Sequence, residues 1–167
     1  KLLATILLIC VTSFVKSELF QNSDEVTEFP FLKEKPNFRF YAGYLDIGQN
    51  KTIHYWFSES QSNPETDPLV WWQNGGPGAS SIGGLLTELG PFEAQDDGTA
   101  KIRPHAWNQQ ANLVAFDNPY GVAFSVNDRN KNFSTDDDQV ADDNFKLLLA
   151  FYRKYPQFQK NDFYIIG

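Results

Sequence analysis

The apolar run Pro68-Leu69-Val70-Trp71-Trp72 leads directly into Gln73-Asn74-Gly75-Gly76-Pro77-Gly78-Ala79-Ser80-Ser81. Residues 82–89 follow and Gly90-Pro91 stops them. The first segment is short, apolar and bounded by breakers, which predicts a buried strand. The last predicts a short helix that ends at the glycine-proline pair. A strand that passes through glycines into a helix commits the chain to an α/β arrangement. Glycine permits positive φ and a close approach of bare backbone N–H groups, and a helix start favours negative charge. The loop is therefore built to hold an anion, either bound or developing during a reaction.

The flanking pattern extends this picture. Residues 38–47 and 52–57 alternate in polarity around Gly48-Gln49-Asn50-Lys51, which predicts a β-hairpin. Residues 18–36 read as an extended lead-in and 58–67 as a loop. Residues 112–116 predict a second buried strand, with Asp117-Asn118-Pro119-Tyr120-Gly121 turning at its carboxyl end. Residues 135–155 predict the longest helix, with Ala141, Phe145, Leu148, Leu149, Tyr152 and Tyr155 along one face. Asp136, Asp137 and Asp138 at its start and Arg153 and Lys154 at its end suit the macrodipole. Residues 162–166 predict a buried strand. Strands alternating with helices predict an α/β fold: a hairpin, then parallel strands with helices. The sequence stops one glycine beyond a strand of this kind, so we expect it to be cut in mid-domain.

Composition narrows the function classes. The net charge of −7 over 167 residues argues against a nucleic-acid partner. Lys1 is followed by a mostly apolar stretch to Val15, then Lys16 and Ser17, the pattern of a secretory leader over 1–17 and too short for a membrane span. There is no Met, so the initiator is expected to be missing. The single cysteine, Cys10, lies inside the leader, so the remaining chain has no disulfide. Asn50-Lys51-Thr52 and Asn132-Phe133-Ser134 are N-glycosylation acceptors, at Asn50 and Asn132, which agree with a secretory route.

Several side chains invite sharper readings. The glycine loop also approximates a nucleotide-binding turn, against which a secretory context and the internal Pro77 both argue. His54 and His105 are the only histidines, and neither sits where a catalytic base is expected. Asp136 to Asp138 with Asp142 and Asp143 do not match an EF-hand, and helix capping explains them, so no metal is expected. Of Trp71 and Trp72, at least one should pack in the core, since strand neighbours face opposite ways.

The segment 72–81, with Leu85-Leu86-Thr87-Glu88-Leu89-Gly90-Pro91-Phe92, Ala106-Trp107-Asn108, Ala111-Asn112-Leu113, 117–125 and Phe163-Tyr164-Ile165-Ile166-Gly167, resembles the serine carboxypeptidases, a family of the α/β-hydrolase fold. The resemblance covers about residues 37–167. It implies an N-terminal portion of that domain over 18–167, ending at the first Gly of a Gly-Glu-Ser-Tyr nucleophile turn. The catalytic Ser, Asp and His follow in that order in this fold, so this stretch alone is expected to be inactive. The resemblance assigns an oxyanion-hole N–H to Gly76, so that Gly76→Pro should abolish turnover. It assigns the substrate's C-terminal carboxylate to Asn74, Gly75 and Glu88. Glu88 would share that site with the Glu of the nucleophile turn, and of two close carboxyls one stays protonated, which favours acid pH. Peptide or protein C-termini are the implied substrates, with no cofactor, an extracellular or lysosomal location and a homodimer for the full-length protein.

The sequence departs from the family at Ala79, where Cys is usual; at Gln73, where Leu is usual; at Gly83, where cathepsin A-like members carry Asp; and at Asp117, Asn118, Tyr120, Ala123 and Val126, which differ from the commoner forms of that loop. Two other functions share these residues: a non-catalytic secreted binding protein, and an acyltransferase that passes the acyl group to an alcohol.

Overall fold

The structure, a computed structural model, describes residues 23–29, 31–127 and 134–167. The leader expected over 1–17, with Cys10, and the sequon at Asn132 lie outside the described residues. Among the described residues there are eight strands: β1 (Phe40–Asp46), β2 (Lys51–Ser58), β3 (Leu69–Trp72), β4 (Phe92–Ala94), β5 (Ala100–Ile102), β6 (Asn112–Phe116), β7 (Val126–Asn127) and β8 (Phe163–Ile166). Helix α1 (Ser81–Gly84) continues into a π-turn (Leu85–Leu89), and α2 (Asp137–Lys154) is the long helix.

The main sheet has the order β1-β2-β6-β3-β8, with β7 on β2. β1, β2 and β6 pair antiparallel; β6, β3 and β8 are parallel. The hairpin and the parallel strands are thus as the pattern predicts. Gly48, Gln49 and Asn50 all take positive φ at the hairpin turn, which Lys51 N closes by donating to Gly48 O at 3.0 Å. The small β4–β5 sheet brackets a turn at Asp96-Asp97-Gly98, and its three-residue strands are too short to show a period.

Alternation along the strands divides the core. Leu69, Trp71, Val114 and Phe116 face α2, where they pack with Leu147, Phe151, Tyr155 and Phe158. Val70, Leu113 and Ala115 face α1, where they meet Ile82, Leu85 and Leu89. Each large apolar side chain so buried contributes about 1.5–3 kcal/mol. Arg103 closes the far end of the π-turn, donating from Nη2 to Leu86 O at 2.7 Å and from Nε to Gly90 O at 3.0 Å.

One expectation is corrected. The buried face of α2 is Asp143, Leu147, Ala150 and Phe151, while Phe145 is 62% and Leu149 42% exposed. A buried ion pair of Asp143 with Lys51 rotates the helix from its most apolar stripe. In the chain as given, Tyr164, Ile165 and Ile166 of β8 are exposed. It is the last strand in the sheet order, and of its residues only Phe163 reaches the core. No helix among the described residues is long and apolar enough to cross a membrane.

At the rim of the hairpin, Tyr41 Oη donates to Glu59 Oε1 at 2.9 Å, and Arg39, which grips Glu25 with two nitrogens, lies 3.7 Å from the same oxygen. Burial nevertheless outweighs these partners and pushes the Glu59 carboxyl up from its ordinary range. A carboxyl raised in the folded state costs stability once it must ionise. That cost is absent below the unfolded-state carboxyl range, grows as pH rises through the folded value, and is complete above it. Glu59→Gln can still accept from Tyr41 and carries no charge. It should therefore raise the melting temperature at pH 7 and leave it unchanged near pH 3, a comparison that thermal denaturation at the two pH values makes directly.

Candidate active site

The carboxyl ends of the three parallel strands bring the site together. Register aligns Trp72 of β3 with Ala115 of β6 and Ile166 of β8. The chain reaches β6 on one side of β3 and then crosses to β8 on the other, so the strand order reverses at β3. Ligands of open α/β sheets bind at such a reversal, outside the carboxyl ends of the strands. Three segments emerge there: Gln73 to Ser80 from β3, Asp117 to Gly121 from β6, and Gly167 from β8. Gly167 must be glycine, since a Cβ would come within 2.4 Å of Gln73 O.

The glycine loop is anchored at both ends and open in the middle. Asn74 N donates to Ser81 Oγ at 3.1 Å, and Ser80 Oγ caps α1 by accepting from Gly83 N at 3.2 Å. Between these anchors residues 75–79 are exposed. Among the described residues the N–H groups of Gly75, Gly76 and Gly78 have no partner. Gly76 has φ +135° and Gly78 φ +99°, conformations that L side chains rarely adopt. A cleft of about 270 Å³ is lined by this loop, by Asn118 and Pro119, and by Thr135, Asp136, Asp137 and Val140 at the start of α2. The loop's own unpaired amides carry the attraction for an anion.

Trp72 Nε1 donates to Asn74 Oδ1 at 2.6 Å. This bond fixes the side-chain amide and leaves Nδ2 without a partner among the described residues. Gly84 makes room for the pair: a Cβ there would fall 2.1 Å from Asn74 Oδ1. Asn74, Gly75 and Gly76 therefore share one cleft. Glu88 does not line it. It is exposed on the π-turn, one turn beyond Gly84, and residues at that separation share a helix face.

Sequence reasoning did not find Trp72 as the residue that orients Asn74; its separation of two from Asn74 on an emerging strand was the available signal. It also did not find the buried chain Ser80–Asp117–His54, which only strand order brings together. Of the departures, Gly83 faces open space, with Ser80 Cβ its nearest neighbour at 3.8 Å, so an Asp there would be accommodated. Tyr120 is buried and donates to Ser134 O.

A hairpin leading into parallel strands, with a loop of unpaired donors leaving β3 at the reversal point, defines the N-terminal part of an α/β hydrolase. The chain belongs to the serine carboxypeptidase family, whose model matches residues 30–167. It is 42% identical over 167 residues to lysosomal protective protein of Mus musculus, covering 99% of this chain and 35% of that protein. It is 41% identical to serine carboxypeptidase ctsa-4.1 of Caenorhabditis elegans, with the same two coverages. Its fold superposes on Kex1(Δ)p, a prohormone-processing carboxypeptidase from Saccharomyces cerevisiae, with a TM-score of 0.68 and 27% identity, covering 77% of this chain and 31% of that one. The chain thus spans about a third of the length of the relatives it matches.

Proposed function

We propose that the full-length protein is a serine-type carboxypeptidase that releases C-terminal residues from peptides or proteins. The observation that carries this reading is the cleft in which the unpaired N–H groups of Gly75 and Gly76 lie beside the oriented amide of Asn74. A serine two residues beyond Gly167 would attack the scissile carbonyl carbon, and the carbonyl electron pair would move onto its oxygen. The Gly76 N–H donates to that oxyanion, an interaction worth about 3 kcal/mol in comparable sites. Collapse of the intermediate breaks the C–N bond and releases the terminal amino acid, and water then cleaves the acyl ester.

Asn74 Nδ2 and the Gly75 N–H donate to the substrate's terminal carboxylate. Glu88 stands exposed outside the cleft in this chain; paired with the Glu of the nucleophile turn it would add a protonated carboxyl at acid pH, since two close carboxyls do not both ionise. An internal amide presents no such carboxylate, which makes the enzyme an exopeptidase. The leader over 1–17 and glycans at Asn50 and Asn132 would place it in the secretory pathway, extracellular or lysosomal. Asn50 is exposed at the hairpin turn.

The test is mass spectrometry of a peptide offered to the full-length protein in two forms, with a free or an amidated C-terminus. Stepwise loss of single residues from the free acid alone is the expected result. Equal processing of both forms, or of neither, would overturn the reading. Trp72→Phe removes the Nε1–H that orients Asn74. It should raise KM for the free acid about 5- to 10-fold, the worth of one hydrogen bond, with kcat changed less, as steady-state kinetics would read.

A further inference from the structure

Asp117 is the first residue beyond β6, and its side chain is fully buried. Such a carboxylate is costly unless every oxygen is bonded. Here Oδ2 accepts from His54 Nδ1 at 3.0 Å and Oδ1 accepts from Ser80 Oγ at 2.5 Å. The backbone binds Asp117 to the same histidine. Asp117 N donates to His54 O at 3.0 Å, while Ser125 Oγ donates to Asp117 O at 2.5 Å and accepts from His54 N at 2.8 Å. The imidazole is held between the rings of Tyr44 and Phe124, at 5.3 and 5.2 Å between centroids. A carboxylate can only accept, so its orientation fixes the direction of the Ser80 hydroxyl hydrogen.

Ser80 is the carboxyl-side anchor of the glycine loop. Its oxygen already accepts Gly83 N–H, and its hydrogen is spent on Asp117. With Asn74 N on Ser81 Oγ at the other end, the five exposed residues between are held at both ends. Loop amides without internal partners need such external constraint to converge on one point, because a displacement of about 1 Å in a reacting geometry costs on the order of 100-fold in rate.

We infer that Asp117 is a positioning residue for the reaction, holding the glycine loop in register through Ser80, with His54 orienting its carboxylate. It does not line the cleft, and the three side chains do not form a catalytic triad: the carboxylate bridges serine and histidine instead of the histidine bridging serine and carboxylate. The inference rests on the carboxypeptidase reading and adds to it a reason for the buried His54–Asp117 pair.

The experiment compares wild type, Ser80→Ala, Asp117→Ala and the double variant of the full-length protein. Active sites are counted by stoichiometric labelling with a serine-reactive phosphonate, so that misfolded molecules drop out. Asp117→Ala should lower kcat per titrated site about 10- to 100-fold with KM within about threefold. Ser80→Ala, which loses both the cap and the partner of Asp117 Oδ1 and is likewise read per titrated site, should lower kcat by at least about fivefold with the same split. The double variant should be no slower than Asp117→Ala within about threefold, because side chains acting as one unit are not additive. Values of kcat within twofold of wild type in both single variants, or losses that multiply in the double, would overturn the positioning role. A wild-type protein that releases no C-terminal residue would overturn the carboxypeptidase reading and this inference together.

Discussion

Replacing the Gly75–Gly76 amide by an ester in the full-length protein is expected to lower kcat by about 10²- to 10³-fold with KM nearly unchanged, the cost of one lost oxyanion donor. Glycolic acid at position 76 supplies that ester. It exchanges N–H for O, keeps the main-chain shape and adds no side chain. The simpler substitution, Gly76→Pro, is unsuitable, because φ is +135° at Gly76 and proline is confined near −65°. It would unseat the loop as well as remove the donor. Gly76→Ala is strained at the same φ and would bring a Cβ to 3.3 Å from Ala79 N. The ester alone separates the donor from the conformation. If kcat per titrated site is unchanged in the ester protein, the oxyanion contact lies elsewhere.

Asp143→Ala is expected to destabilise the protein by about 3–5 kcal/mol, because it leaves a buried ammonium without its counter-charge. Lys51 Nζ and Asp143 Oδ2 are 2.6 Å apart with side-chain exposures of 7% and 2%. They join the start of β2 to the first half of α2 across 92 residues. Gln139 Nε2 holds the second carboxylate oxygen at 3.1 Å, and the ammonium lies 4.5 Å from the Tyr120 ring centroid. The pair therefore ties the hairpin, the loop after β6 and the helix that forms one wall of the cleft. Replacing both partners, as Lys51→Met with Asp143→Leu, should recover most of the loss, since the desolvation cost disappears with the charges. Urea unfolding of the three proteins reads the difference. A single variant as mild as Lys146→Ala, which breaks an exposed pair on the same helix, would contradict the account.

The legible parts of this fold were those decided by local chemistry. Alternation set the hairpin, Asp136 marked the start of α2 by capping Gln139 N, and the glycines marked the turn after β3. What stayed hidden depends on what each element meets. The face of α2 could not be read from its apolar stripe, because a buried Asp143 outweighs the exposed Phe145. The site was partly legible for the same reason. The loop 74–80 is contiguous in sequence, whereas the bond between Ser80 and Asp117 spans 37 residues and exists only because β6 lies beside β3.

The most direct measurement is a structure of the full-length protein trapped with a peptidyl phosphonate on its nucleophile. The account predicts a phosphonyl oxygen about 2.7–3.1 Å from Gly76 N, the spacing of an oxyanion donor, with the Asn74 amide turned toward the ligand's terminal carboxylate. A phosphonyl oxygen directed away from the glycine loop, with Gly76 N bonded only to water, would contradict it.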